Sequence, residues 1–203
     1  MINKFSEIIS FANKVNNKNV VGKINNFIIT KNAQNVFDES NDSTDSNEIE
    51  QDQSDEINVA ASLFSQLKAN LEYSQVCHWA AKGLSGYADH LLFERIYDEN
   101  QKELDKIPEK LIPVLGESFI NPIEISVLVS EKIKSVSEFK DNMDSTELVQ
   151  NLFNCEEVTL NEIETFRAFF EKNSKLSLGL DDLITEIHNT HQSHVYLLKQ
   201  RLK

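Results

Sequence analysis

Five residues in one stretch, "VCHWAAKGLSGYADHLLFERIYDENQKELDKIPEK" (residues 76–110), have side chains that bind metals: His78, His90, Glu94, Asp105 and Glu109. Imidazole and carboxylate together suit a hard or borderline ion such as iron or manganese. His90 and Glu94 are four residues apart, as are Asp105 and Glu109, so each pair shares a helix face. Glu94 and Asp105 are eleven residues apart, close to three whole turns, so all four follow one slowly drifting stripe. The plain structural role of such a stripe is a solvated acidic surface. His90 and Asp105 stand roughly 22 Å apart along a helix, so one chain cannot bring both to one ion. Antiparallel packing of this helix on a two-fold mate removes the difficulty. The His90/Glu94 end of one chain then meets the Asp105/Glu109 end of the other, and an isologous interface makes this happen twice. His78 lies across a short loop from the start of the same helix and can join. The spacing thus predicts two shared metal sites per dimer. The competing role for His78 is a bonded core histidine, since it lies four residues after Ser74 and continues the expected inner face of its helix.

The elements that must position these residues are helices. The first runs over about 55–82 with Leu63, Leu67, Leu71 and Ser74 on one face, and "KGLSG" ends it. The second spans about 87–112 and is closed by Pro113 and Gly116. Pro108, between Asp105 and Glu109, removes one helix hydrogen bond there and bears on where Glu109 sits. In "NPIEISVLVSEKIKSV", Asn121 suits an N-cap and Pro122 a first helical position, giving a shorter helix. Asp144 and Glu147 have capping-box spacing at the start of a third long helix, which runs past Phe153, Ile163, Phe166 and Phe170 to Lys175, with room for a break. After the turn "SLGLDD", the last helix covers about 181–202. The fold class is all-α: a four-helix bundle with a short extra helix in the long connection between its second and third members.

Composition agrees. The chain of 203 residues has only five glycines and three prolines, too few turn-makers for a sandwich or barrel. Three zones differ in charge. Residues 1–35 carry five lysines and one glutamate; residues 36–57 carry nine acids and no base; residues 58–203 read as the bundle domain. The first zone is amphipathic, with Ile2, Phe5, Ile8, Ile9, Ala12 and Val15 at roughly helical spacing, and reads as a docking segment for a protein partner or a helix packed on the main domain. The acidic zone reads as an extended, disordered linker. The net charge of -13 argues against strong DNA binding, which needs Lys and Arg on phosphates. No apolar run is long enough for a membrane span, and no secretory h-region opens the chain. With two unpatterned cysteines, Cys77 and Cys155, a cytoplasmic setting is expected.

Other candidates are weaker. His188, His191 and His194 recur every three residues on the last helix, but no matching acid accompanies them, so a structural or surface role is expected. Glu156 and Glu157 read as a solvated face, and Cys77 as a small buried side chain. Neither a phosphate-binding glycine loop nor a nucleophile–base pair stands out.

"HWAAKG", then His90 twelve residues after His78, then Glu94, Asp105 and Glu109, resembles the Dps-type mini-ferritins of the ferritin-like superfamily. The final helix, "DDLITEIHNTHQSHVYLLKQRL", is similar to theirs as well. The resemblance covers residues 56–112 well, the last helix fairly and the middle weakly. It implies a hollow homo-oligomer, usually a dodecamer built from two-fold dimers. It also implies a ferroxidase site across the dimer interface, with His78, His90 and Glu94 from one chain and Asp105 and Glu109 from its mate. The implied metal is non-haem iron, oxidised as Fe(II) by peroxide or oxygen and stored as ferric mineral on acidic inner walls. Trp79 resembles the tryptophan beside the family's site; a core or interface aromatic is its structural alternative. The chain departs from the pattern at Glu94, where aspartate is commoner, at Pro108, and in its long N-terminal extension. A ferritin-like structural or adaptor protein without catalysis, docking through that extension, is the competing function.

Overall fold

The computed structural model describes residues 44–136 and 139–203, with side chains from Ser54 onward. The expected docking segment, residues 1–35, and the first part of the acidic linker lie outside the described residues. Five α-helices follow in order: α1 (Thr44–Ala80), α2 (Gly86–Leu115), α3 (Pro122–Val136), α4 (Ser145–Lys172) and α5 (Leu178–Arg201), with a 3₁₀ turn at Ser118–Ile120 before α3. The expected all-α bundle with a short helix in its long connection is what the chain forms.

Each boundary has a local cause. α1 contains neither glycine nor proline over its whole length, and Gly83 (φ 87°) turns the chain after it. It begins inside the segment expected to be an extended linker: residues 44–57 are helical. Acids near a helix N-terminus complement its dipole, and extending a helix already held by packing costs far less than starting one. α2 ends at Gly116, whose φ of 76° suits only glycine comfortably. Pro108 and Pro113 both lie within α2 and neither interrupts it. The buried Ile107, Leu111 and Leu115 around them hold the turn in place against the loss of two backbone bonds. Asn121 caps α3 by accepting from the backbone N–H of Ile123 at 3.1 Å. The Asp144/Glu147 capping box closes in both directions, at 2.9 and 3.0 Å. α4 then runs without a break.

The topology follows from which ends share a core. One hydrophobic cluster joins Ala60, Leu63 and Leu67 of α1 to Ile107 and Leu111 of α2, Ile163, Phe166 and Phe170 of α4, and Leu180, Ile184 and Ile187 of α5. A second joins Tyr73 and Cys77 to Phe93 and Ile96, Leu148, Leu152 and Cys155, and Leu198. The start of α1 therefore lies level with the end of α2, the end of α4 and the start of α5. α1 and α2 are antiparallel, α4 and α5 are antiparallel, and α4 runs parallel to α2 after a crossover. The crossover helix α3 packs Ile125 and Val129 on Ala69 of α1. Lys132 pins it further by donating to Ser62 and Glu162 at 2.9 and 2.6 Å. Truncating a fully buried member such as Leu148 or Ile184 to Ala costs about 2–5 kcal/mol by lost transfer energy and the cavity left behind.

Between the two apolar clusters the bundle changes character. Gln66, Asn70 and Ser74 of α1, Asn100 and Glu103 of α2, Glu156 and Thr159 of α4, and His191 and His194 of α5 are all buried. They form a polar belt across the middle of the core, built from all four long helices.

Candidate functional site

Two groups of ligand-type side chains result, one on the surface and one in the belt. At the surface, α1 ends and α2 begins on either side of the short loop, which sets His78 beside His90. Their rings stack with centroids 3.8 Å apart and an interplanar angle of 27°. His78 Nδ1 lies 3.1 Å from the His90 carbonyl oxygen, and His90 Nδ1 lies 2.9 Å from the His78 carbonyl oxygen. A carbonyl only accepts, so each Nδ1 carries the proton. With Nδ1 on a carbonyl, Nε2 is the nitrogen of each ring left to ligate a metal.

Both rings are half-buried, as is Glu94, while Asp105 and Glu109 are exposed. The chain brings His78 and His90 together. It does not bring Asp105 or Glu109 to them, as the helical rise requires. The inner face of α1 carries Cys77, wholly buried, while His78 turns outward. His78 is thus not the core histidine considered as an alternative. Trp79 is 68% exposed, so in the single chain it is not a core aromatic. Tyr97 is a neighbour that sequence reasoning passed over. Its ring meets His78 edge-on at 5.1 Å. Desolvation raises its hydroxyl pKa, and the charges of Asp98 and Glu94 push the same way.

The second group corrects two expectations. Glu156 is not on a solvated face: it is fully buried. His191 and His194 do have matching acids, supplied by other helices. Glu156 Oε2 lies 2.5 Å from His191 Nδ1, and Glu156 Oε1 lies 3.1 Å from His194 Nδ1. On the far side of each ring is another carboxylate: Glu103 is 3.2 Å from His191 Nε2, and Glu99 is 2.7 Å from His194 Nε2. The array reads Glu103, His191, Glu156, His194, Glu99 from one end to the other. Only its Glu99 end is partly exposed, where Arg95 also holds it at 3.1 Å. His188 stays outside, 3.4 Å from Glu164 at the surface.

Burial and charge compete in this array. Burial alone would raise the Glu156 pKa, but the two imidazoles beside it win and hold the carboxyl down at about 2. Burial alone would lower that of His191, but Glu156 and Glu103 lift it to about 10. His194 is raised against its own desolvation by Glu156 and Glu99. Donor atoms of Glu156, His191 and His194 all lie within 4.8 Å of one another, close enough to hold one metal ion after small adjustments. The signal for this group was present in the spacing. Leu180, Ile184, Ile187, His191, His194 and Leu198 follow one four-three register, and the histidines occupy two of its inward positions.

No protein-family model matches the chain. Over 125 residues it is 25% identical to general stress protein 20U of Bacillus subtilis, a match covering 62% of this chain and 81% of that protein. Its fold is similar to that of Dps from Thermosynechococcus elongatus, with a TM-score of 0.64 and 18% identity over 75% of this chain and 93% of that one. A Dps protein from Vibrio cholerae O1, described as a member of a broad superfamily of ferritin-like diiron-carboxylate proteins, gives 0.58 and 18% over 75% and 92%. Dps92 from Deinococcus radiodurans gives 0.61 and 17% over 75% and 88%. Among the described residues no helix is long and apolar enough to cross a membrane. With the five-helix order, the crossover and these likenesses together, the chain has the fold of the Dps proteins.

Proposed function

We propose that this protein oxidises Fe(II) at sites shared between two subunits and stores the ferric product inside a hollow assembly. The observation that supports it most is the mutual orientation of His78 and His90. Two imidazoles stand side by side, half-buried, each with Nδ1 on a backbone carbonyl and Nε2 left for a metal. Such an outward pair has little use in a core. Glu94, one turn beyond His90, adds a carboxylate, and Asp105 and Glu109 of the partner subunit complete the set when α2 packs antiparallel on its mate.

In this reading Fe(II) is the substrate. His78, His90 and Glu94 bind it, and Asp105 and Glu109 of the partner subunit neutralise the charge that grows on oxidation. Peroxide takes one electron from each of two Fe(II) ions and two protons from solvent, and leaves as two water molecules. Carboxylate-rich ligands favour the ferric product over the ferrous substrate, which drives the step forward. Two-fold dimers built this way are the units of a cage, a dodecamer by the resemblance to Dps proteins. Residues 1–35 serve as a docking segment for a protein partner, and the net charge of -13 leaves DNA binding weak.

Mixing the anaerobic protein with Fe(II) and then adding peroxide or air tests the reading. Ferric absorbance should rise faster than in buffer alone and lose most of that gain in His78→Ala and Asp105→Ala. A rate equal to the blank, or a protein that elutes as a monomer, overturns it.

A further inference from the structure

The polar belt holds more than an ion-pair network needs. Both nitrogens of His191 and both nitrogens of His194 face carboxylates, three acids around two rings. Yet the set is not satisfied as it stands. His191 Nε2 and Glu103 Oε2, though 3.2 Å apart as an ion pair, are not aligned for a hydrogen bond, and neither buried atom makes another. Buried polar atoms left without a hydrogen bond are rare in native cores, so their presence asks for an explanation.

We infer that the middle of the bundle is a closed site for one divalent ion of the zinc class, held by Glu156, His191 and His194 within a single chain. Three features support this. First, the two Nδ1 atoms converge on the two oxygens of one carboxylate, Glu156. Ligands about 2.1 Å from one ion lie about 3.4 Å apart, so the ion enters by widening this cluster by less than its present spread. Second, the remaining nitrogen of each ring points at an outer acid, Glu103 or Glu99. A histidine that ligates through one nitrogen and gives its other N–H to a carboxylate is the arrangement that fixes ring orientation in metal sites. Realigning Glu103 for that bond also gives His191 Nε2 and Glu103 Oε2 the hydrogen bond they lack. Third, Glu103 and Glu156 are buried carboxylates, while Glu99 is partly exposed and held by Arg95. A divalent ion at the cluster places its charge beside the two buried acids. The donors are nitrogen and oxygen without thiolate, and Cys155, although next to Glu156, directs its sulfur to Gln66. That set suits Zn(II), Co(II) or Fe(II) rather than a soft ion.

This site differs from the surface pair in kind. Every donor comes from one chain, so it needs no dimer. It is enclosed, so it serves to pin α4 to α5 and α2 rather than to turn over substrate. It stands or falls independently of the iron-oxidising function.

The test uses the full chain carrying His78→Ala and His90→Ala, which removes the surface pair. After stripping with a strong chelator, Co(II) is titrated in. The expected result is one Co(II) per chain, with the visible absorption of a four-coordinate ion, displaced by Zn(II). Glu156→Gln and, separately, His194→Gln should each weaken binding at least tenfold. X-ray absorption at the zinc edge of the His78→Ala/His90→Ala protein should show two imidazoles on the metal, a readout that needs no substitution in the core. Absence of Co(II) binding, two ions per chain, binding unaffected by Glu156→Gln, or fewer than two imidazoles per zinc would overturn the inference. The part of peroxide-driven Fe(II) oxidation that is lost on going from wild type to the His78→Ala/His90→Ala protein reports on the surface site, so the failure of one reading leaves the other tested separately.

Discussion

His78 and His90 orient each other through main chain: each ring's Nδ1 faces the carbonyl oxygen of the other residue, at 3.1 and 2.9 Å. Because the anchors are backbone carbonyls, removing one ring leaves the other's anchor in place. His90→Ala should therefore delete one ligand and leave His78 aimed correctly. Fe(II) affinity should fall at least about tenfold, as loss of a ligand or its support commonly does. Stability should change by less than about 1 kcal/mol, since the rings are half-exposed. Anaerobic Fe(II) titration and urea melts measure the two effects. Unchanged affinity would remove His90 from the site.

Sharing across a two-fold axis makes a sharper prediction. Homodimers of His78→Ala and of Asp105→Ala should both be inactive, because each lacks one half of every site. A mixed dimer contains one site with both defects and one with none. Random association of the two variants in equal amounts should then restore about a quarter of the wild-type sites. Co-expression followed by the ferric absorbance assay gives the number. No recovery in a verified mixed assembly sinks the shared-site geometry.

How legible these features were depended on whether local chemistry or tertiary context decided them. Capping at Asn121 and at Asp144/Glu147 could be read directly, because an N-cap is a bond between near neighbours in sequence. The bundle and its crossover helix followed from apolar spacing. The start of α1 did not, since acids that forbid a core do not forbid helix once packing holds its far end. At the end of α1 the burial of Cys77 was legible as that of a small side chain, and its neighbour His78, left half-exposed, takes the ligand role's position rather than the competing core one. The buried array was missed because polar residues were presumed to face water. Glu156 follows Leu152 by four and precedes Ile163 by seven, an inward register, but only the fold shows Glu103 and Glu99 arriving from α2 to pair the histidines.

Trp79 offers an optical readout, being the only tryptophan and 68% exposed in the single chain. Adjacent to His78, it should be quenched when Co(II) or Fe(II) binds the surface pair, and the quenching should vanish in His78→Ala. Its emission should also shift to shorter wavelength as dimers form, if the two-fold interface covers it. A maximum that does not move with protein concentration across the dimerisation range would place Trp79 outside that interface.

The two cysteines should be inert in the folded protein. Cys77 and Cys155 are buried, and desolvation pushes both thiols far above their usual range, with Glu156 adding to the effect at Cys155. The thiolate is the reactive form, so labelling at neutral pH should wait for unfolding. With Ellman's reagent, both should react promptly in urea beyond the melt and at the global opening rate below it. Fast labelling of the native protein would show that the second apolar cluster opens locally.

Asp89 and Arg201 close the end of the bundle that carries the surface histidines. Arg201 Nε and Nη2 donate to the two oxygens of Asp89 at 2.7 and 3.1 Å, and Nη2 also donates to Ser85 at 2.6 Å. Asp89 is 1% exposed, so Arg201→Ala strands a buried carboxylate. Breaking a fully buried pair costs about 3–5 kcal/mol; the arginine side chain is 31% exposed and water reaches it, so about 2–3 kcal/mol is expected here. Lysine cannot reproduce the two-pronged contact, and Arg201→Lys should recover less than half of the loss. Because the pair joins the first turn of α2 to the last turn of α5, Arg201→Ala should also loosen the loop between His78 and His90 and slow Fe(II) oxidation. Urea melts and the ferric absorbance assay on the same variants check both. If Arg201→Lys matches wild type in stability, the charge alone suffices and the bidentate geometry contributes nothing.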